Sequence, residues 1–530
     1  MFQGASVSPN LTTFSSDRLI QEIYSLVPPG QAPSPEVIGQ LESATAQLLI
    51  LFKADGKLDQ SPSALAMNRS VDLHEKAARS RLEGQRVLVT GGSGCVGSRL
   101  IPLLMSLGAA QIAIVDIAEP PQTATQESGN SNLVFYRVDI RDASTLDQAF
   151  TDFQPAIVYH LASIREPGRA EAVVREAIET NVFGTRNVIA ACLKHGVKDA
   201  VYSSTGKCFA YVSDHVYTGS KKLAEGQWAS AARQATDTRF RITRFTHIME
   251  NGVVAADIAQ GIADGLLALH GPDRYFNIQN VRQATHLLVN ALALADQTPP
   301  DGFWSAVDLG WPVNTMELAL YGIERSGKKV AVYFSGVPKG YDEAFFRGQY
   351  AWNHETAYHP LINALEATSG FSDTTTTMVG ARVQPFNAAL LNTELQRLAM
   401  SLADPSLDVM EVKRALTDAV NVLAGAIFAK TDVLRLIDVL WWGAAPTWAG
   451  VKAQDARRFV TVIGLLATAV LTKLKASGLT LSPGYDDKLR DIAQTLVQLD
   501  GLADKGVAFF AHVAARALAP AQGPARVAQA

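Results

Sequence analysis

Tyr217 and Lys221 are four residues apart in the segment Tyr-Thr-Gly-Ser-Lys. In a helix this spacing is about one turn, so the phenol and the ammonium group lie on the same face. A nearby positive charge lowers the pKa of a phenol, which can then exchange a proton with the hydroxyl group of a substrate. The pair therefore predicts Tyr217 and Lys221 as catalytic residues that act on an alcohol or a carbonyl group. The alternative is an exposed helix face without chemistry.

A glycine-rich turn, Gly-Gly-Ser-Gly-Cys-Val-Gly at 91–97, lies between the apolar segment 86–90 and a predicted helix. Glycines let the backbone approach a pyrophosphate group, and the N-terminus of a helix attracts that group. The turn predicts a dinucleotide site, and a tight turn without a ligand is the alternative. The residues that we expect to bind the dinucleotide are Gly91, Gly94, Cys95, Val96 and Gly97.

Asp116 ends the next predicted strand, 19 residues after Gly97. A carboxylate at this place accepts hydrogen bonds from the hydroxyl groups of the adenosine ribose and repels a 2′-phosphate. Asp116 therefore favours NAD over NADP as the cofactor. The alternative function of Asp116 is to cap the loop through hydrogen bonds to its backbone.

Strand and helix patterns alternate from residue 86 to about 300, which predicts a parallel sheet covered on both faces. Apolar residues at helical spacing precede it near 17–27 and 35–55, with a loop at 55–70. The expected fold is α/β, a Rossmann-type doubly wound parallel sheet with additional N-terminal helices and a C-terminal α-helical domain. The C-terminal helices are predicted near 385–402, 408–429, 431–441, 453–476, 486–499 and 501–516.

Four further motifs follow the glycine turn along the chain. They are Val-Asp-Ile-Arg-Asp at 138–142, Tyr-His-Leu-Ala-Ser at 159–163, Glu-Thr-Asn-Val-Phe-Gly-Thr-Arg-Asn-Val at 179–188, and Val-Asp-Leu-Gly-Trp-Pro-Val at 307–313. With the glycine turn and the Tyr-Lys pair, they resemble the extended short-chain dehydrogenases/reductases. The closer resemblance is to the polysaccharide-biosynthesis branch, which contains nucleotide-sugar 4,6-dehydratases and epimerases, and it covers about residues 85 to 350.

The resemblance adds further cofactor-binding residues, and Lys221 counts among them as well. They are Asp139, Ile140, Leu161, Ala162 and Ser203.

The segment Ser-Ser-Thr-Gly-Lys at 203–207 resembles a family segment in which three side chains act on the substrate. In the family, a threonine polarises a substrate oxygen, an aspartate helps to expel a hydroxyl group, and a lysine removes a carbon-bound proton. Here Thr205 and Lys207 are the expected catalytic residues, but Gly206 stands at the aspartate position. Dehydration therefore lacks its expected acid. Lys207 is either this base or a charge on the rim of the site.

The expected substrate residues are His247 and Arg274. His247 stands where the family has an asparagine, so it is either a new acid–base group or a histidine that forms a hydrogen bond in the core. Arg274 keeps an arginine–aromatic pattern that holds a nucleotide diphosphate in the family, and a surface ion pair is the alternative. The passage 334–343 lacks the arginine and the Glu-Lys pair of the family, which indicates an altered substrate half.

Composition restricts the class of protein. The 530 residues include 47 basic and 51 acidic side chains, with a net charge of -4 and no long run of either sign. We therefore expect a small-molecule substrate and no nucleic-acid partner. Three scattered cysteines indicate no metal site and a cytoplasmic protein. The apolar run 459–471 is too short for a membrane span. The buried-looking apolar helices at 420–428 and 436–442 leave room for the interface of a homo-oligomer.

The expected domains are consecutive along the chain. They are an N-terminal helical region at 1–82, the short-chain dehydrogenase/reductase domain at 83–350 with a cofactor half at about 83–240 and a substrate portion at about 241–350, a linker at 351–384, a helical domain at 385–520 and a tail at 521–530.

Three functions are consistent with these observations. The first is an NAD-dependent enzyme that transiently oxidises an activated, nucleotide-linked sugar and so permits epimerisation or dehydration. The second is a net NAD(P)-dependent dehydrogenase or reductase of a non-sugar alcohol or ketone. The third is a catalytically weak nucleotide-binding scaffold.

Overall fold

The computed structural model describes residues 15–119, 132–353, 359–450, 452–477 and 481–517, so the expected tail lies outside the described residues. The strands are β1 (Arg86–Thr90), β2 (Gln111–Asp116), β3 (Leu133–Arg137), β4 (Ile157–His160), β5 (Asp199–Thr205), β6 (Arg239–Phe245), β7 (His247–Ile248), β8 (Leu266–Leu269), β9 (Tyr275–Phe276), β10 (Ile278–Gln279), β11 (Gly302–Ala306), β12 (Val313–Asn314), β13 (Ala331–Phe334), β14 (Phe371–Ser372) and β15 (Met378–Arg382).

The helices before residue 385 are α1 (Ser16–Leu26), α2 (Pro35–Ala54), α3 (Ala64–Asn68), α4 (Glu75–Leu82), α5 (Cys95–Ser106), α6 (Ala143–Phe153), α7 (Pro167–Ala172), α8 (Val174–Ile178), α9 (Thr185–Lys194), α10 (Val216–Gln234), α11 (Val253–Asp264), α12 (Val281–Ala293) and α13 (Thr315–Ser326). The later helices are α14 (Ala388–Ala403), α15 (Val409–Lys430), α16 (Val433–Ala444), α17 (Pro446–Ala449), α18 (Ala453–Ala456), α19 (Val460–Ser477), α20 (Pro483–Leu496) and α21 (Ala503–Ala517). Helix α3 lies within the segment that was expected to be a loop.

The chain forms two compact units, each built from several segments. The smaller unit comprises Met1–Arg69, His247–Asn280 and Leu309–Pro338, and the larger unit comprises Ser70–Thr246, Val281–Asp308 and Lys339–Ala530. The N-terminal helices therefore share a unit with segments of the expected substrate portion rather than forming a region of their own.

The larger unit contains a nine-stranded sheet in the order β14-β15-β11-β6-β5-β4-β1-β2-β3. Its strands from β11 to β3 are parallel. Helices α6, α9 and α10 cover one face, where Leu146, Val188 and Trp228 pack on alternate strand residues such as Leu88 and Val158. Helices α5 and α12 contact strands of the same sheet. The expected α/β doubly wound fold is confirmed.

The segment expected as a linker supplies two strands to this sheet. β15 pairs antiparallel with β11, and β14 pairs antiparallel with β15. A Cβ atom at Gly380 would lie 2.5 Å from the carbonyl oxygen of Phe303 and 2.3 Å from the ring of Phe371, so glycine permits this close pairing. The sheet thus ends in a hairpin where the sequence indicated only a connection.

In the smaller unit, β8 pairs with β13 and β7 with β10 in parallel, and β9 pairs antiparallel with β12. Helices α1 and α2 pack on this framework through buried residues such as Leu19 and Leu48, which share a core with Leu267 and Val332. The Oγ1 atom of Thr45 accepts a hydrogen bond from the backbone N–H of Val332 at 3.0 Å. The N-terminal helices therefore belong to the core of this unit.

The expected C-terminal helices are confirmed, but they belong to the same compact unit as the large sheet, in which they pack in two groups. Helices α14 and α15 cover α10, where Leu416 and Val420 pack with Leu223. Helices α16 and α19–α21 share a second core that includes Leu440, Leu466 and Ile492.

One helical stretch in the described ranges, Ala453–Ala476, is long and apolar enough to cross a membrane by length and composition. It extends beyond the apolar run that was considered too short. One such helix is weak evidence, because core helices of soluble proteins pass the same test. Ile463, Leu466 and Val470 are buried against neighbouring helices, while 33% of the apolar window as a whole is buried. The cytoplasmic location stays a prediction.

Candidate functional site

Four expected cofactor or catalytic segments lie at one edge of the large sheet. Gly91 follows β1, Asp116 ends β2, Leu161 follows β4 and Thr205 ends β5. Because these strands are parallel, their carboxyl ends meet at the same edge. This edge is where doubly wound sheets bind their ligands.

The glycine turn packs against neighbouring backbone too closely to carry side chains at Gly91 and Gly97. Gly91 has a φ of +70°, and a Cβ atom there would lie 2.6 Å from the backbone nitrogen of Ala162. A Cβ atom at Gly97 would lie 2.6 Å from the carbonyl oxygen of Gly91. Gly94 is the N-cap of α5, so the positive end of that helix points into the turn at Cys95. Cys95 and Val96 form the first turn of α5, and this cradle fits a pyrophosphate group.

Asp116 caps the glycine turn in this structure. Its Oδ2 atom accepts a hydrogen bond from the N–H of Ser93 at 3.0 Å, and its Oδ1 atom accepts one from Ala118 at 3.1 Å. This is the capping role that was considered as an alternative. Each carboxylate oxygen can accept further hydrogen bonds, so the contact leaves room for ribose hydroxyl groups.

The other cofactor residues line the same edge. Asp139 binds the guanidinium group of Arg141 at 2.6 Å, and this hydrogen bond lowers the pKa of Asp139. Ile140 is buried, and its side chain lies 2.7 Å from a Cβ atom placed at Gly184. The backbone nitrogen atoms of Leu161 and Ala162 donate to the carbonyl oxygen and the Oγ1 atom of Thr90.

Helix α10 brings Tyr217 and Lys221 to the end of β5. The Nζ atom of Lys221 donates to the carbonyl oxygen of Ser203 at 2.9 Å, and the Thr205 side chain is close enough to Tyr217 to lower its pKa against the larger effect of burial. The structure therefore brings Ser203, Thr205, Tyr217 and Lys221 together.

The two titratable groups respond mainly to burial. Burial raises the pKa of Tyr217 to about 12 and lowers the pKa of Lys221 to about 8. The raised pKa of Tyr217 is opposite to the lowered pKa that the sequence predicted. Desolvation disfavours the phenolate, while the ammonium group of Lys221 binds the carbonyl oxygen of Ser203.

Asn181 is a site residue that the sequence analysis did not select. It lies in a π-helical turn, Glu179–Gly184, which is a common feature of functional sites. Its amide binds both backbone groups of Ile164, at 2.8 and 3.0 Å, and donates to the Oγ atom of Ser220 at 3.0 Å. Asn181 thereby joins the loop after β4 to the residue next to Lys221. The sequence could have indicated Asn181 as a site residue, because Asn181 lies in the motif at 179–188.

Lys207 forms an ion pair with Glu343, a second residue that was not selected. The Nζ atom of Lys207 lies 2.8 Å from the Oε2 atom of Glu343, whose side chain is 3% exposed. Glu343 also accepts hydrogen bonds from Ser213 at 2.5 Å and Thr218 at 2.7 Å. Lys207 is thus held by a buried carboxylate and is not an isolated rim charge.

Gly206 is covered by Leu361. A Cβ atom at Gly206 would lie 2.3 Å from the Cδ2 atom of Leu361. Leu361 comes from the segment that was expected as a linker, so nothing near Gly206 in the sequence indicates this contact.

The N-terminus of α10 is fixed by charged side chains. The ring of His215 lies between Asp214 at 2.7 Å and Asp342 at 2.8 Å. Against the opposing effect of burial, these carboxylates raise the pKa of His215 to about 9. Glu171 accepts the N–H of Val216 at 2.8 Å and binds Lys413 of α15 at 2.6 Å.

His247 and Arg274 belong to the smaller unit. His247 is half-buried in β7, and its ring contacts the ring of Phe276 edge to face at 5.0 Å. The Nε atom of Arg274 lies 3.8 Å from a carboxylate oxygen of Asp273, and its side chain is 43% exposed. Their roles toward a substrate stay predictions.

The family model and the similar curated proteins agree in pointing to polysaccharide biosynthesis and nucleotide-sugar enzymes. Residues 87–341 match the family described as "Polysaccharide biosynthesis protein". The capsular polysaccharide biosynthesis protein CapD of Staphylococcus aureus is 27% identical over 283 residues, which are 51% of this chain and 46% of that protein. The UDP-N-acetylglucosamine 4,6-dehydratase (inverting) of Campylobacter jejuni is 32% identical over 188 residues, or 34% of this chain and 55% of the enzyme. The chain thus spans about half the length of these curated relatives.

Among solved structures, Pen from Bacillus thuringiensis aligns with a TM-score of 0.49 and 20% identity over 58% of this chain and 89% of that protein. The family match ends just before Glu343 and well before Leu361. The resemblance to the polysaccharide-biosynthesis branch of the extended short-chain dehydrogenases/reductases is thus confirmed over residues 87–341.

Proposed function

We propose that the chain is an NAD-dependent enzyme that transiently oxidises a hydroxyl group of an activated, nucleotide-linked sugar. Oxidation permits epimerisation or dehydration before the hydride returns. The observation that carries this proposal is the meeting of Thr205, Tyr217 and Lys221 at the end of β5, on the sheet edge that also carries the glycine turn.

Each side chain has a role that its contacts support. The turn at Gly91, Gly94 and Gly97 holds the pyrophosphate, and Asp116 accepts the ribose hydroxyl groups. A bound nicotinamide group would accept and return the hydride. Lys221, fixed by the carbonyl oxygen of Ser203, orients the cofactor ribose and supplies positive charge.

Tyr217 exchanges a proton with the substrate hydroxyl group, and Thr205 polarises the same oxygen. The Thr205 side chain is close enough to Tyr217 to influence its pKa, so one substrate oxygen can contact both side chains. The high pKa of Tyr217 keeps the phenol protonated, and a positive charge beside the phenol favours the phenolate.

The first experiment is to denature the purified protein and identify the released nucleotide by mass spectrometry. Near-stoichiometric NAD supports internal recycling of the hydride. Protein that binds NAD or NADP reversibly supports the second candidate, a net dehydrogenase or reductase. The specific observation for this candidate is that Glu343, in the altered substrate passage, pairs with Lys207.

The second experiment tests the catalytic role of Tyr217. With UDP-N-acetylglucosamine as the probe, Tyr217→Phe is expected to slow hydride exchange by about 10²–10⁴-fold while the protein still binds NAD. The matched control is Tyr159→Phe on β4, because the hydroxyl group of Tyr159 has no hydrogen-bond partner in the described part of the chain. Equal rates for wild type and Tyr217→Phe would contradict the proposal.

A further inference from the structure

His160 is the last residue of β4 and lies opposite Thr90, the residue that precedes the glycine turn. Its ring is fully buried and stacks on the rings of Tyr202 and Trp228, at 5.4 and 5.6 Å between centroids. Burial, together with the ammonium group of Lys221, lowers the pKa of His160 to about 3. The ring is therefore neutral at neutral pH, with one N–H group and one bare nitrogen atom.

The partner of the Nε2 atom determines which nitrogen atom carries the proton. The Nε2 atom lies 2.9 Å from the Oγ1 atom of Thr185. The hydroxyl group of Thr185 donates its single proton to the carbonyl oxygen of Asn181 at 2.7 Å, so toward His160 it can only accept. The Nε2 atom of His160 therefore carries the proton and the Nδ1 atom is bare.

The bare Nδ1 atom connects His160 to the glycine turn. It lies 2.7 Å from the Oγ1 atom of Thr90, which must donate to it. The same Oγ1 atom accepts the backbone N–H of Ala162 at 3.3 Å. A Cβ atom at Gly91 would lie 2.6 Å from that backbone nitrogen, so Thr90 fixes the backbone on which the glycine turn packs.

The Nε2 atom connects His160 to the opposite side of the site. Through Thr185 it fixes the carbonyl oxygen of Asn181 in the π-helical turn. The side chain of Asn181 donates to the Oγ atom of Ser220, which in turn donates to the carbonyl oxygen of Tyr217 at 3.0 Å. This side of the ring is therefore connected to the helix that carries Tyr217 and Lys221.

We infer that His160 is a positioning residue, which as the Nε2–H tautomer connects the glycine turn to the π-helical turn of Asn181. The inference rests on the proposed function, because the glycine turn is the expected NAD site. The hydrogen bonds all run in one direction, from the N–H of Ala162 through Thr90, His160 and Thr185 to the carbonyl oxygen of Asn181. Hydrogen bonds aligned in this way strengthen one another, so a change at one end weakens the other.

The tautomer is measured by ¹H–¹⁵N NMR on protein with labelled histidines, in which a protonated and a bare ring nitrogen resonate in separate ranges. We expect the proton of the His160 ring on Nε2, without change between pH 6 and pH 7. The spectrum of His160→Gln, which lacks the signal, assigns it. A proton on Nδ1, or a second proton on the ring at pH 6, would overturn the inference.

Thr185→Val tests the connection, because valine has nearly the same shape and cannot accept from Nε2–H. We expect the ring proton to move to Nδ1, where Thr90 accepts it. Thr90 then no longer donates and becomes a weaker acceptor for the N–H of Ala162. Hydrogen–deuterium exchange of the peptide that contains Ala162 should become several-fold faster, and calorimetry should show several-fold weaker binding of NAD.

Thr298→Val is the matched control. The hydroxyl group of Thr298 is also buried, donates to the carbonyl oxygen of Leu294 at 2.9 Å and accepts from the Nε1 atom of Trp304 at 2.9 Å. This variant loses the same kinds of hydrogen bond away from His160, so the exchange at Ala162 and the affinity for NAD should not change.

Equal exchange rates at Ala162 in Thr185→Val and Thr298→Val would overturn the inference and leave the proposed function intact. A wild-type protein that binds no NAD would overturn the proposed function, and the tautomer and the exchange rates would still decide the role of His160. The wild-type spectrum decides the tautomer even if a variant does not fold.

Discussion

The Nζ atom of Lys221 donates a hydrogen bond to the carbonyl oxygen of Ser203 at 2.9 Å, inside a site where the lysine is 3% exposed. Burial lowers the pKa of Lys221 from 10.5 to about 8. The unfolded state therefore binds more protons than the folded state between these two values, and the free energy of unfolding rises with pH in this window.

We expect Lys221→Met to remove this rise, which amounts to about 3 kcal/mol across the window. Urea denaturation of wild type and variant at pH 7.5 and at pH 10 measures the difference. A stability difference between the two proteins that is independent of pH would contradict the burial of a charged Lys221.

His215 predicts the opposite trend. Its pKa is raised to about 9 by Asp214 and Asp342, so its contribution is complete below the unfolded value of 6.5 and is lost as the pH rises through about 9. We expect the stability difference between wild type and His215→Gln to shrink over this range. The effect is small because Asp214 is 90% exposed and Asp342 is 48% exposed. A difference that grows with pH would refute the ion pairs.

Gly91→Ala tests the glycine cradle. A Cβ atom at this position would collide with Ala162 at 2.6 Å and would require an unfavourable positive φ, so we expect a loss of about 1–3 kcal/mol and of nucleotide binding. The matched control is Gly84→Ala, whose φ is +71° with nothing within 4 Å of the Cβ atom. Nucleotide titration by calorimetry should show normal binding for the control alone.

Arg244 provides a test of the buried charges behind the site. It is fully buried between Glu225 at 2.6 Å and Glu366 at 2.7 Å. Arg244→Met would remove the cation that these two buried carboxylates share, which costs about 3–5 kcal/mol. The exposed pair of Arg137 and Glu119 is the control, and Arg137→Met should change the free energy of unfolding by less than about 1 kcal/mol.

Local patterns explain what the sequence predicted well. The spacing of Tyr217 and Lys221 depends on one helical turn, and the glycine turn depends on backbone conformation within seven residues. Helical periodicity placed a helix at 408–429, close to Val409–Lys430 in the structure. Such features need no knowledge of distant segments.

Long-range contacts explain what was missed. Glu343 meets Lys207 across 136 residues, and β15 is recognisable only through its pairing with β11. The predicted consecutive domains placed Leu19 and Leu48 in a different domain from Val332, although the three residues share one core. A hydrophobic pattern shows that a helix buries one face, but not which segment covers that face.

The hairpin of β14 and β15 and the cover of α10 by α15 affect the order of events during synthesis. β11 gains its outer neighbour only after residue 382 has left the ribosome, and the apolar face of α10 stays uncovered until about residue 420. A nascent chain that ends at the family match therefore presents an open sheet edge and an apolar helix to the solvent. Such surfaces promote aggregation, so we expect the segment after the family match to protect the nucleotide-binding sheet from aggregation as it folds.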